Sequence, residues 1–425
     1  MLRSLLPDVT PLRRSPDYRR LYTGFTLSNV GSQMAVVAVG LQVYELTRST
    51  AAVGVVGFFA LVPLVVMGLY GGSLADHHDR RLVGLVATFV AMAASIVAAA
   101  QAWAGLTSPW LLYGIVAVWS GATAVSSPAR TSIYPRILPP EQLPAANALS
   151  VFAMNTALTA GPLLAGLLID AGGYRLAYTA DAVLTLAAVH SLLRLHPVPP
   201  DDHGGPVRRA GLRSVVDGFA FLRTAPNVRM TFVADIAAML LAQPRVLFPA
   251  AGAVILGGGA TTVGALYAAT AVGGILAMLF SGRLGSVRRQ GLAIMVSVCG
   301  WGIGIAGLGF ALLGAGGVLT RDQAFLAALL AMGFAGAADS VSAVFRTTIL
   351  QTAAPDRMRG RLQGVFIVVV AGGPRLGELA GGVVAGRVGE GWTAVLGGVA
   401  CVLAIGVLSL RQPGFLRYDA RHPTP

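Results

Sequence analysis

Long apolar runs, one after another, constrain this chain more than any other feature. Stretches of about twenty residues with almost no charge alternate with short polar connections. A hydrocarbon layer about 30 Å thick takes roughly 20 residues of helix to cross. No water is present there to satisfy an open backbone, so the crossing segments must be helical. The runs place spans at about 19–46, 51–71, 82–105, 109–134, 143–170 and 174–195. Six more follow at about 228–256, 260–281, 291–314, 323–349, 361–386 and 391–410. The expected fold is an all-α integral membrane protein with twelve transmembrane helices. Residues 1–18 form an N-terminal arm, 19–195 a six-helix bundle, 196–227 a linker, 228–410 a second bundle and 411–425 a tail. The linker opens on a Pro- and Gly-rich stretch that cannot continue a helix. Its second part, 212–224, has the pattern of a helix lying on a membrane surface.

Charge is scarce, at 12% of residues against about 25% in soluble proteins, yet the net charge is +13. The basic residues are spread over the connections rather than gathered on one face, which argues against nucleic-acid binding. All of them are arginine; there is no lysine. That excludes a Walker A loop and a lysine Schiff base, so no ATP site and no enzyme chemistry of that kind is expected. Cys299 and Cys401 both lie in apolar runs and form no metal-ligand spacing, and no cofactor or metal is expected. The Arg-rich first twenty residues lead into a run too long for a cleavable signal. Arg48, Arg175, Arg321 and Arg387 fall in odd-numbered loops, and Arg130, Arg245, Arg346 and Arg375 inside spans. The remaining arginines occupy the termini and even-numbered loops. The positive-inside rule then sets both termini in the cytoplasm of a bacterial inner membrane.

The two halves echo each other. Arg130-Thr131-Ser132-Ile133 reappears as Arg346-Thr347-Thr348-Ile349, an offset of 216. The same offset carries Pro139 to Pro355, Asn147 to Gln363, Gly161 to Gly377 and Gly166 to Gly382. An internal duplication explains this, with two parallel bundles related by pseudo-symmetry.

Between the second and third spans lies Gly72-Ser73-Leu74-Ala75-Asp76-His77-His78-Asp79-Arg80-Arg81-Leu82, expected as a tight turn at the membrane surface. Its glycine, acid and basic pair resemble the loop between spans 2 and 3 of major facilitator transporters. Asp79 stands where that pattern has a second glycine. A degenerate copy follows at Gly282–Arg289. The resemblance implies a cytoplasmic gate built from Gly72, Asp76, Asp79, Arg80 and Arg81, with Arg130 and Arg346 as structural members. Asp76 would sit at the dipole of span 11, and Arg80 would pair with an acid such as Asp356. Gly161, Pro162 and Gly166 resemble an element of the fifth span of exporters, which tilts direction toward efflux. Pro244-Arg245, Leu350-Gln351-Thr352 and their surroundings resemble the siderophore (enterobactin) and macrolide efflux branch of the superfamily. That branch implies alternating access, proton antiport and an amphipathic substrate, with the protein acting as a monomer.

Ionisable groups inside spans are costly, about 2.5–3.5 kcal/mol each on insertion scales, and mark functional positions. Asp339, Asp235, Glu378 and Asp181 are candidate proton carriers, although Asp181 could lie near the outer interface. Arginine keeps its charge, so Arg245 and Arg375 are candidates for holding substrate or exchanging partners with the acids. Arg375 and Glu378 share a helix face and could pair locally. Asn29 and Gln33, four residues apart, are candidates for substrate contact or interhelical bonding. Two other readings fit the spans: a proton-coupled importer, and a non-transporting receptor on the same scaffold.

Overall fold

The computed structural model describes residues 8–198, 212–279, 287–355, 358, 362, 365, 369–370, 372–422 and 424, without the side chains of 69, 71–73, 75–77 and 212–216. Among these residues there is no β-strand. The chain runs through α1 (Thr10–Arg14), α2 (Pro16–Thr47), α3 (Thr50–His77), α4 (Arg80–Trp103), α5 (Pro109–Ile137), α6 (Leu143–Gly172), α7 (Tyr174–Leu193) and α8 (Leu212–Thr224). It continues through α9 (Pro226–Leu241), α10 (Phe248–Ala250), α11 (Gly259–Leu279), α12 (Gln290–Gly314), α13 (Arg321–Ala353), α14 (Gly372–Val388), α15 (Glu390–Arg411) and α16 (Pro413–Leu416). Eleven segments among the described residues are long and apolar enough to cross a membrane. The twelfth expected span, 361–386, is represented by α14, and its first part falls outside the described residues. So do residues 199–211 of the linker expected at 196–227 and residues 282–286 of the second loop copy.

Two expectations are corrected. The polar stretch 72–82, expected as a turn, is helical over most of its length: α3 runs on to His77, and only His78 and Asp79 separate it from α4. The reason is a strong helix start, because the Asp79 carboxylate accepts from the backbone N–H of Arg81 and Leu82 as an N-cap. Gly72 and Asp76 therefore lie within α3, where their side chains are outside the description. The seventh span, in turn, is not one helix over 228–256. It breaks after α9 at Ala242 and resumes as a 3₁₀ turn at Arg245–Leu247, α10, and a π-helical turn at Ala251–Ile255. Pro244 and Pro249 each lack a backbone donor, and proline inside a helix kinks or breaks it. The freed carbonyls find partners: Trp301 Nε1 donates to Ala242 O at 3.1 Å, and Tyr267 Oη to Arg245 O at 3.4 Å.

The chain divides into two compact units, Met1–Gln42 with Phe59–Arg209, and Val43–Phe58 with Ala210–Pro425. In the first, α4 packs on α5 and on α7; in the second, α12 packs on α13 and on α15. These are the same repeat positions. The offset of 216 also joins the turns: Gly173 and Gly389, at φ 76° and 82°, end the fifth and eleventh spans in a backbone region closed to most side chains. Within the second unit, the tip Val43–Phe58 lies along α14. Thr50 Oγ1 donates to Glu390 Oε1 at 2.6 Å. A Cβ at Gly382 would fall 2.8 Å from Thr50 O and 3.0 Å from Gly54 Cα, so the two backbones touch only because both positions are glycine.

Candidate functional site

The second unit collects six charges inside its spans. Asp235 on α9 is 5% exposed and forms an ion pair with Arg346 Nη1 on α13. Arg346 Nη2 also reaches Asp339 Oδ1, seven residues earlier on the same helix, at 3.3 Å. One guanidinium thus bridges two carboxylates. The other Asp235 oxygen, Oδ2, is buried with no hydrogen-bond partner among the described residues. A cavity of about 80 Å³ adjoins the pair, lined by Thr231, Asp235, Arg346, Thr347 and their apolar neighbours. Asp339 is 39% exposed, much more than Asp235.

Arg245, at the break in the seventh span, lies within electrostatic reach of Asp339. Its carbonyl neighbour Tyr267 is close to Arg375 and Glu378 in turn. Arg375 Nη1 donates to Glu378 Oε2 at 3.0 Å and Oε1 at 3.4 Å, forming the local pair that their spacing allows. Three acids and three arginines therefore share this unit, and the set is neutral when all are ionised. A buried charge that is both paired and hydrogen-bonded is tolerated; one left alone costs several kcal/mol.

The first unit is arranged differently. Asp181 on α7 is 1% exposed, so its carboxylate is packed among protein atoms rather than solvated. Its carboxylate accepts from Ser95 at 2.7 Å and, more loosely, from Thr185 at 3.5 Å. No cationic side chain pairs with it among the described residues. Arg130, the repeat counterpart of Arg346, stacks its guanidinium 4.6 Å from the centroid of Phe25. Asn29 and Gln33 are half-buried on α2 and make no hydrogen bond among the described residues. Gly161 on α6 lets α2 approach beside Gln33: a Cβ there would fall 2.6 Å from Gln33 Cβ and 2.9 Å from Val30 O. Pro162 and Gly166 are buried in the same helix.

Sequence reasoning missed one partner. Gly377, the counterpart of Gly161, packs on Met239 O and on Gln243 Cβ, where a Cβ would meet the latter at 2.9 Å. Gln243 thus stands to Gly377 as Gln33 stands to Gly161. The offset on this helix is 210, not 216, because the two repeats differ in the length of chain between their first and fourth spans. A search at one offset could not find it. The same offset of 210 takes Phe25 to Asp235.

The loop after α3 binds two helix ends. Asp79 caps α4 and accepts from Val198 N at 3.2 Å, while Arg80 N donates to Val198 O at 3.0 Å. Arg81 donates from Nε to Leu192 O and from Nη2 to Leu193 O, both at 2.9 Å, filling the carbonyl end of α7. Cations are favoured there by the helix dipole. Arg80 Nη1 reaches Ser132 O on α5 at 3.5 Å. Asp356 lies outside the described residues. The aspartate in place of the usual glycine therefore has a local task as a cap. Arg346, expected as a structural member of the gate, forms the bridge between Asp235 and Asp339.

A family model described as transmembrane secretion effector, of the major facilitator type, matches residues 7–420. The chain belongs to that family. Enterobactin exporter EntS of Citrobacter koseri is 27% identical over 419 residues, covering 96% of this chain and 97% of that protein. The EntS of Escherichia coli strain K12 is 27% identical over 424 residues, covering 99% and 97%. The crystal structure of the nucleoside transporter NupG superposes with a TM-score of 0.68 at 16% identity, covering 95% of this chain and 99% of that one. This secretion effector is thus a multi-pass membrane transporter of the major facilitator fold and not an enzyme.

Proposed function

We propose that this protein exports a small amphipathic molecule of the siderophore class across the bacterial inner membrane by proton antiport and alternating access. It acts as a monomer with both termini in the cytoplasm. The observation that carries the coupling is the single guanidinium of Arg346 bridging Asp235 and Asp339. Asp339 is the more exposed acid and meets an incoming proton first. Neutralising it frees Arg346 from one partner and leaves the guanidinium to Asp235 alone. A helix position is thereby biased by one proton. The unpaired Oδ2 of Asp235 offers a second landing place. Arg375 and Glu378 provide a further exchangeable pair near the break in the seventh span. A unit charge crossing 100 mV carries about 2.3 kcal/mol, enough to concentrate a substrate.

The substrate class rests on the relatives, which are enterobactin exporters over nearly their whole length. Direction rests on the same relatives and on the Gly161-Pro162 element. The test is substrate-evoked proton movement in proteoliposomes carrying a pH dye, with a catechol siderophore, a macrolide and a cationic dye. Proton flux is expected with the siderophore, and none in Asp339→Asn. Siderophore transport with no proton movement would overturn antiport, and flux inward with the substrate would overturn export.

A further inference from the structure

We infer that the hydroxyl-lined carboxylate of the first unit is a binding site for a monovalent alkali cation of sodium's size. Four helices of that unit converge on Asp181: α2 brings Ser28 and Gly31, α4 brings Ser95, α5 brings Trp119 and α7 brings Asp181 and Thr185. Asp181 and Ser95 are each 1% exposed, and Thr185 is 3% exposed. A bare carboxylate at such a place is costly, and the usual remedies are a paired cation or neutralisation by a proton. No arginine or histidine pairs with it among the described residues. Tyr178, on the preceding turn, directs its hydroxyl away to Gln42 Oε1 at 2.8 Å.

The hydrogen bonds favour a cation over a proton. Trp119 Nε1 donates to Ser95 Oγ at 3.1 Å, so Ser95 must turn its own hydrogen outward, and it donates to Asp181 Oδ2 at 2.7 Å. A hydrogen bond donated to a carboxylate favours its charged form over the protonated one. Oδ1 is treated differently. Thr185 Oγ1 lies 3.5 Å from it, and Ser28 Oγ lies 3.5 Å from Thr185 Oγ1. Ordinary O–H···O bonds are about 2.5–3.0 Å long, so both spacings are too wide for good hydrogen bonds. They suit oxygens sharing an ion instead. Hard cations of this radius hold oxygens at about 2.3–2.6 Å, which sets neighbouring ligands roughly 3.3–3.7 Å apart. One carboxylate and two hydroxyls supply one negative charge, which balances a monovalent ion and undercharges a divalent one. Gly31 keeps the space open on the α2 side, because a Cβ there would fall 2.7 Å from Asp181 Oδ1.

The site is read out without substrate or gradient, so it stands or falls apart from the proton-coupled reading. Radiolabelled sodium binding to the full-length protein in phosphatidylglycerol nanodiscs tests it. Saturable binding is expected, displaced by unlabelled sodium and not by choline. Asp181→Asn is expected to abolish it, and Ser95→Ala to weaken it by about 10–100-fold, as for groups that orient a ligand. Should Asp181→Asn fail to fold, Thr185→Val and Gly31→Ala keep the carboxylate while removing a ligand or the space. Each is expected to weaken binding by at least about tenfold. No saturable binding in the wild type, unchanged binding in these variants, or displacement by potassium as effective as by sodium would each overturn the assignment.

Discussion

Arg130 and Arg346 occupy the same place in the two repeats, and they do opposite things. Arg130 lies over the ring of Phe25, while Arg346 bridges Asp235 and Asp339. The partners are themselves counterparts, Phe25 and Asp235 being related by the offset that relates Gln33 to Gln243. At the third position the first half has Thr123 where the second has Asp339. Duplication therefore kept the arginine and the helix that carries it, and only the second half acquired acids around it. A ring offers the guanidinium a weak, proton-insensitive contact; two carboxylates offer a strong one that a proton can switch. The first half placed its buried acid elsewhere, at Asp181 among hydroxyls.

The largest test of this contrast is removal of the two arginines. Arg346→Gln leaves Asp235 buried and unpaired, and is expected to lower stability by about 3–5 kcal/mol. Thermal unfolding in detergent should show it, with loss of transport. Arg130→Gln loses a cation–π contact, worth about 0.5–2 kcal/mol, and should retain transport. Equal losses in the two would erase the distinction. Next in size come the glycines. Gly161→Ala and Gly377→Ala force the α2–α6 and α9–α14 contacts apart, each at about 1–3 kcal/mol of overpacking. Matching effects on unfolding temperature would mark the glutamine-facing contacts as the conserved part of the repeat.

A double-mutant cycle on Asp235→Asn and Arg346→Gln sharpens the pair itself. Unfolding is expected to show a coupling of about 0.5–3 kcal/mol, with the double variant less damaged than the sum of the singles. The matching cycle on Phe25→Leu and Arg130→Gln should fall at the low end of that range. Smallest is Asp79→Ala, which removes an N-cap and should cost about 1 kcal/mol. Its effect belongs to folding of the first unit, so proton-coupled transport at low temperature should survive it.

The membrane-spanning segments were legible in the sequence because apolar length is a sum over about twenty residues, and local errors average out. The set of buried acids was legible too, since any charge in a run of apolar residues is conspicuous. What each acid touches was not legible. Arg346 reads in sequence as a gate residue, and only packing of α9 on α13 brings Asp235 to it. Asp181 reads as one more acid, and only four converging helices show it unpaired by a cation among the described residues. The break at Ala242 needed the side chains of Trp301 and Tyr267 to satisfy it, from helices 59 and 22 residues away in the chain. Apolar length is a property of one segment, and water exclusion enforces it regardless of neighbours. Pairing of buried polar groups depends on atoms a few ångströms apart from different segments, and that distance is set only when the helices pack.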